Sequence, residues 1–163
     1  MKVIIVSGTP GTGKTKIAKL IARRSNFKYI DVNKLIKNEK IFDSYDKKRK
    51  CYIVDIKKLN KFLIRFIKKS KTNLILDSHL SHFLPKRCVD LCIITKSNIK
   101  ILKSRLKKRN YNRLKLKENL ESEIFNLCLN EAKELNHNII VIDTSKAVKH
   151  INIKHILKYI KWM

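Results

Sequence analysis

The stretch Gly8–Thr15 limits the folds open to this chain more than any other. It reads Gly-Thr-Pro-Gly-Thr-Gly-Lys-Thr and fits G-x-x-x-x-G-K-[ST] without a gap. The apolar run Val3-Ile4-Ile5-Val6 precedes it, and Ile17, Ala18, Leu20, Ile21 and Ala22 follow at helical spacing. Strand, glycine-rich turn and helix in that order form the setting in which this pattern cradles phosphate. Backbone N–H groups of such a turn point at phosphate oxygens, and the helix N-terminus adds its positive end. Lys14 can then reach the β- and γ-phosphates, and the Thr15 hydroxyl can ligate Mg²⁺. The three glycines of the chain, Gly8, Gly11 and Gly13, all lie in this turn, so backbone freedom is concentrated where a phosphate needs it.

The 163 residues, 44% of them hydrophobic, suit one domain over 1–163 with a real core. No run approaches the roughly 20 apolar residues of a membrane span. A strand beginning within three residues of the start leaves no room for a signal peptide, so the expected location is the cytoplasm, with no membrane partner. Cys51, Cys88, Cys92 and Cys128 lack paired C-x-x-C spacing; free thiols are expected and a zinc site is not. Lys and Arg number 39 against 13 Asp and Glu, a net charge of +26. That charge fits contact with nucleic acid or a ribonucleoprotein. It equally fits AT-rich coding sequence, which raises Lys, Ile and Asn together, and composition does not choose between the two. The acids Glu118, Glu121, Glu123, Glu131 and Glu134 are expected to lie in one helix, so the positive field is uneven.

Strands and helices alternate along the chain, which predicts a parallel sheet with helices on both faces. Strands are expected at Lys2–Val6, Lys28–Ile30, Asn73–Leu76, Val89–Thr95 and Asn138–Ile142. Helices are expected from Thr15 to Arg24 and from Val32 to Glu39. Further helices carry Leu59, Phe62, Leu63, Phe66 and Ile67, then Ile99, Leu102 and Leu106 after a cap at Ser97 or Asn98. One long helix should run through Leu120, Ile124, Ala132 and Leu135, and a last one should carry Ile153, Ile156, Leu157 and Ile160. Residues 40–54 read as irregular, with a turn at Asp43–Asp46, and Lys108–Lys115 as a basic loop.

Asp77 follows a buried apolar strand. Strand carboxyl ends border the ligand crevice in such sheets, and an acid there can hold Mg²⁺ as a Walker B aspartate does; a turn cap is the plainer alternative. His79 can orient a water or a phosphate, or serve as a structural loop histidine, and His82 has less support. Arg87 can clamp a phosphate by its fork. Arg105, Lys107, Lys108, Arg109 and Arg113 cluster at a helix C-terminus. They can close over a transferring phosphoryl group or merely complement the helix dipole.

Together these residues resemble the adenylate kinase isoenzyme 6 family, small ATPases and kinases of small ribosomal subunit maturation. The likeness rests on Gly8–Thr15, Tyr29-Ile30-Asp31-Val32, Asp43-Ser44-Tyr45-Asp46, Ile53-Val54-Asp55, Asp77-Ser78-His79 and Phe83-Leu84-Pro85 with Arg87. It continues in Arg105-Leu106-Lys107-Lys108-Arg109-Asn110-Tyr111 and Glu118-Asn119-Leu120-Glu121-Ser122-Glu123-Ile124. The resemblance implies an α/β, three-layer P-loop NTPase fold, a five-stranded parallel sheet flanked by helices, of the nucleoside monophosphate kinase type. It implies a monophosphate-binding segment at 31–54 and a short lid at 108–118. The implied reaction is γ-phosphoryl transfer from ATP to AMP with Mg²⁺, beside ATP hydrolysis. Gly11, Gly13, Lys14, Thr15, Lys16 and Arg109 would bind ATP. Lys14, Asp77, His79 and Arg109 would be catalytic, Thr15 and Asp77 would hold the metal, and Asp31, Lys37 and Arg87 would bind the monophosphate. The implied partners are small-subunit ribosomal protein eleven and ribosomal RNA. An ATP-driven assembly factor with little kinase activity, or a kinase of another small metabolite, would show the same phosphate loop. The chain departs from the family pattern at Asn33-Lys34, where Gly-Asp is usual, at Ser78, usually aromatic, and at Asn110, usually glycine. Asn tolerates the left-handed backbone such a glycine adopts, and the Asn33-Lys34 change falls on the acceptor side.

Overall fold

The computed structural model describes residues 1–146 and 150–162. Strand β1 (Val3–Ser7) leads into helix α1 (Lys14–Arg23), then β2 (Phe27–Asp31) and α2 (Val32–Asn38). A hairpin of β3 (Ser44–Asp46) and β4 (Cys51–Ile53) precedes α3 (Ile56–Lys69) and β5 (Asn73–Asp77). After β6 (Leu91–Lys96) come α4 (Ile99–Lys108), α5 (Arg113–Ile124), α6 (Leu127–Glu134), β7 (Ile139–Asp143) and α7 (His150–Trp162). Five strands pair in parallel in the order β2-β5-β1-β6-β7.

The apolar runs are continuous because both faces of the sheet are covered, as parallel sheets require. Val3 and Ile5 of β1 face one layer, with Val32 and Ile36 of α2, Leu59, Leu63 and Ile67 of α3 and Ala132 of α6. Ile4 and Val6 face the other, against Ile17, Ala18 and Ile21 of α1 and Ile153, Ile156 and Ile160 of α7. Alternate Cβ directions along one strand thus feed two cores. The expected three-layer architecture is the observed one. Register brings Val6, Asp77 and Asp31 side by side at the carboxyl edge, where β1 hands over to the glycine loop.

Three local expectations are corrected. Ser44–Asp46 is a strand, paired antiparallel with Cys51–Ile53, and the turn lies between them. Lys108–Lys115 is not all loop: Asn112 accepts a hydrogen bond from Lys115 N at 2.9 Å, and this cap starts α5 at Arg113. The long helix through Leu120 and Leu135 is two helices. Asn126 adopts φ 53° between α5 and α6, a conformation Asn accepts more readily than most residues, so the apolar period runs across the break unmarked by Gly or Pro. Asn110 also adopts φ 54°, as expected for a residue in the place of a glycine. Asn98, not Ser97, caps α4 by accepting from Lys100 N at 2.9 Å.

Candidate active site

The glycine loop is held from behind by a small polar scaffold. Gly8 has φ 132°, and a Cβ there would collide with the Thr95 carbonyl oxygen of β6; only glycine lets the loop lie this close to the strand. The Thr12 hydroxyl donates to Thr9 O at 2.7 Å and lies 2.7 Å from Thr95 Oγ1. Thr144, just after β7, donates to Thr12 O at 2.6 Å. Arg105 fixes Thr144 in turn, donating to its hydroxyl at 3.0 Å and its carbonyl at 2.6 Å. Arg105 of the basic cluster therefore braces the loop from outside the cleft. Gly13 stands at the helix start with φ 89°, and no side chain caps α1. Its first-turn N–H groups and its positive end are left for an anion.

Lys14 is buried, and its ammonium donates to the carbonyls of its own loop, Gly8 at 2.7 Å and Thr9 at 3.0 Å. Loss of hydration lowers its pKa to about 8. Thr15 Oγ1 donates to Asp77 Oδ2 at 2.6 Å, and Tyr29 OH donates to the same oxygen at 3.0 Å. Burial pushes the Asp77 carboxyl up against these two hydrogen bonds. A hydroxyl and a carboxylate meeting here are hard oxygen donors that suit Mg²⁺. His79 is half-buried at the same edge. Loss of hydration, with the charge of Lys14, lowers its pKa to about 3, so its imidazole is neutral at physiological pH. His82 is fully buried, with Nδ1 2.7 Å from Ser7 Oγ and Nε2 2.8 Å from Glu131 Oε2. Burial lowers its pKa as well.

These groups open onto one cleft of about 730 Å³. Gly11, Gly13, Lys14, Thr15, Lys16, Asp77, His79 and Arg109, all singled out in the sequence, line it. Three others do not. Asp31 caps α2, accepting from Lys34 N at 3.0 Å; Lys37 and Arg87 are exposed and stand outside the lining. The wall opposite the glycine loop comes from elements the sequence left irregular. Arg49, Cys51 and Tyr52 enter from the hairpin, and Tyr111, Lys115 and Glu118 from the lid.

Hairpin and lid are tied to each other. Arg49 Nε and Nη2 donate to Glu118 Oε1 at 2.9 and 2.7 Å, while Nη1 reaches Asp46 at 2.9 Å. Asn112 Nδ2 donates to Lys48 O at 2.5 Å. These bonds give the acidic region a role within the fold. Glu118 holds Arg49, and Glu123, buried, accepts from Ser97 N at 2.8 Å and anchors α5 to the end of β6. Arg49 was not legible as a site residue, being one cation among 39 in a stretch without clear period.

Comparison with known proteins bears on the same residues. A family profile described as an AAA domain matches residues 4–126. The adenylate kinase isoenzyme 6 homolog of Dictyostelium discoideum is 37% identical over 141 residues, 86% of this chain and 79% of that protein. The adenylate kinase isoenzyme 6 homolog FAP7 of Saccharomyces cerevisiae is 31% identical over 160 residues, 98% of this chain and 80% of that one. Among solved structures, a sugar kinase from Janibacter sp. HTCC2649 superposes with a TM-score of 0.68 at 17% identity, covering 99% of this chain and 95% of that one. That last likeness speaks for the fold alone.

Proposed function

The chain belongs to the adenylate kinase isoenzyme 6 family, and from that premise we propose that it is a nucleoside monophosphate kinase converting ATP and AMP to two ADP. The single observation that carries the reading is the meeting of phosphate loop, Thr15–Asp77 pair, Arg109 and acceptor hairpin around one cleft. ATP enters with its phosphates along the first-turn N–H groups of α1. Lys14 leaves one of its loop carbonyls for the β- and γ-phosphates. Thr15 and Asp77 would hold Mg²⁺, which neutralises phosphate charge when bound. A phosphate oxygen of AMP forms a bond to the γ-phosphorus as the bond to the β,γ-bridging oxygen breaks, and ADP leaves. Arg109, at the lid, turns its fork toward the equatorial oxygens, where charge spreads during transfer. His79, neutral, donates a hydrogen bond without adding charge. Arg49, on the acceptor hairpin, would exchange its bonds to Glu118 for the AMP phosphate.

The lid, 108–118, is short: one turn, Arg109–Asn112, and the first half of α5. A lid of this size leaves water a path to the γ-phosphate, which supports an ATPase activity beside the transfer. A second reading adds a role in small ribosomal subunit assembly in the cytoplasm, through ribosomal protein eleven and ribosomal RNA. What supports it is charge. Among the described residues, carboxylate ion pairs engage Arg49, Lys58 and Lys117, so most of the cations face solvent and suit a polyanion. Among the same residues no helix is long and apolar enough to cross a membrane. The test is ADP formation from ATP with and without AMP labelled in its base. One labelled ADP for each ATP lost beyond the AMP-free rate is expected; ATP loss with no labelled ADP overturns the kinase reading and leaves the ATPase. Salt-sensitive co-sedimentation with small-subunit particles, in excess of that with generic RNA, tests the second reading.

A further inference from the structure

A second set of donors lines the cleft and takes no part in the transfer. His82, in a 3₁₀ turn at Ser81–Phe83, faces Cys128 and Glu131 on α6. Residues three apart on a helix share one face. Imidazole nitrogen, thiol sulfur and carboxylate oxygen all lie within 4.8 Å of one another. The imidazole is fixed from behind: Ser7 Oγ sits 2.7 Å from Nδ1, and His137 Nε2 lies 2.9 Å from the His82 carbonyl oxygen. Such outer partners hold ring orientation in metal-bound histidines.

We propose that His82 Nε2, Cys128 Sγ and Glu131 form a three-ligand site for a soft divalent transition metal of the zinc(II) class, with its fourth position open to the cleft. The donor set decides the metal. Thiolate and imidazole favour zinc, whereas Mg²⁺ takes hard oxygens, so this site and the Thr15–Asp77 pair do not compete for one ion. A tetrahedral centre with bonds of about 2.0 to 2.3 Å separates its ligand atoms by about 3.3 to 3.7 Å. With all its ligand atoms within 4.8 Å of one another, the cluster needs only side-chain adjustment to reach that range. The Nε2 to Oε2 pair, at 2.8 Å, opens by roughly half an ångström, and Glu131 can supply the motion because its side chain is 37% exposed. The Cys128 proton leaves to solvent as the sulfur–metal bond forms. Thiolate and carboxylate then balance the two charges of the ion beside Lys14. The C-x-x-C rule misses this site because its ligands come from two elements joined only by the fold.

Cobalt(II) titration of the full chain, without oxygen, is the test. A thiolate-to-cobalt charge-transfer band with tetrahedral d–d absorption is expected at one equivalent, bleached by zinc(II). The band should fall at least tenfold in Cys128→Ser and in His82→Gln, and persist in Cys51→Ser, which removes the other thiol of the cleft. Zinc(II) should raise the Tm of the wild type and of Cys51→Ser but not of Cys128→Ser, whose fold is checked by its metal-free melting transition. No thiolate band in the wild type, or a band that survives Cys128→Ser, overturns the site.

Discussion

Lys14 is charged at a place where charge is costly until a nucleotide arrives. Burial takes its pKa from 10.5 to about 8. At about 1.4 kcal/mol per tenfold, the empty cleft disfavours the ammonium by about 3 kcal/mol. The free enzyme's kcat/KM reports the free enzyme's pKa. With AMP held well below its KM, so that the free enzyme is the reference state, kcat/KM for ATP should therefore fall about tenfold between pH 7 and 9 as Lys14 goes from about nine-tenths to about one-tenth charged. Cys128, pushed up to about 11 by burial, and Tyr29, also pushed up, stay protonated through that window. His79, at about 3, is neutral throughout. Bound triphosphate puts negative charge beside Nζ and raises its pKa, so the kcat limb should lie above the kcat/KM limb. Stability carries the opposite sign. Between pH 8 and 10.5 the unfolded chain holds a proton that the folded apo-protein has released, so the Lys14 contribution to stability rises with pH by up to about 3 kcal/mol. Urea unfolding of wild type and Lys14→Met at both ends of the window isolates that term. A kcat/KM profile flat to pH 10 refutes the reasoning, because it requires a lysine with ordinary hydration.

Asp77→Asn keeps an acceptor for Thr15 and Tyr29 but loses the charge that would hold Mg²⁺; kcat should fall by about a hundredfold or more, with a higher Mg²⁺ requirement in a titration at fixed ATP. Glu123→Ala leaves the buried Ser97 N–H without its acceptor, which should cost about 1 to 3 kcal/mol in urea unfolding; a loss below the error of that measurement contradicts the anchoring role. Arg49→Ala should raise KM for AMP more than KM for ATP, read from initial rates with each nucleotide varied in turn, and equal effects on both would remove Arg49 from the acceptor side.

The central fold was legible because its signals are local and strong. Val3–Val6 and Leu74–Leu76 are apolar runs short enough to be strands. Leu59, Leu63 and Ile67 recur at helical spacing, and three glycines mark the one turn that needs them. The peripheral elements carry weaker signals. Ser44–Asp46 and Cys51–Ile53 are three residues each, too short for alternation to register. Tyr45, Tyr52 and Ile53 favour strand while Ser44 and Asp46 do not, and part of the hairpin's support is tertiary, from Phe42 against Tyr52 at 4.3 Å and from the bonds of Arg49 and Lys48 to α5 and its cap. The break at Asn126 is hidden for a related reason. Leu120, Ala132 and Leu135 keep a plausible period across it, and only the left-handed Asn, with Glu123 turned inward to Ser97, bends the path.

The same contrast divides the site. The donor half is written in contiguous residues, because a phosphate loop must place several N–H groups, a lysine and a hydroxyl within one helical turn, and sequence spacing is then geometry. The proposed acceptor half has no such constraint. Arg49, Tyr52, Lys115 and Glu118 reach one wall from a hairpin and a helix about 65 positions apart in the chain, so nothing in their spacing announces that they meet. Asp31, Lys37 and Arg87 fit the pattern by position, yet one is spent on a helix cap and the other two stand outside the cleft. Two of the departures from the family pattern, Asn33 and Ser78, touch each other: the Ser78 hydroxyl donates to Asn33 Oδ1 at 3.1 Å. A change on α2 is thus matched by one beside Asp77. A glycine at 33 would leave that hydroxyl without this partner, so the pair is to be varied together when acceptor preference is measured.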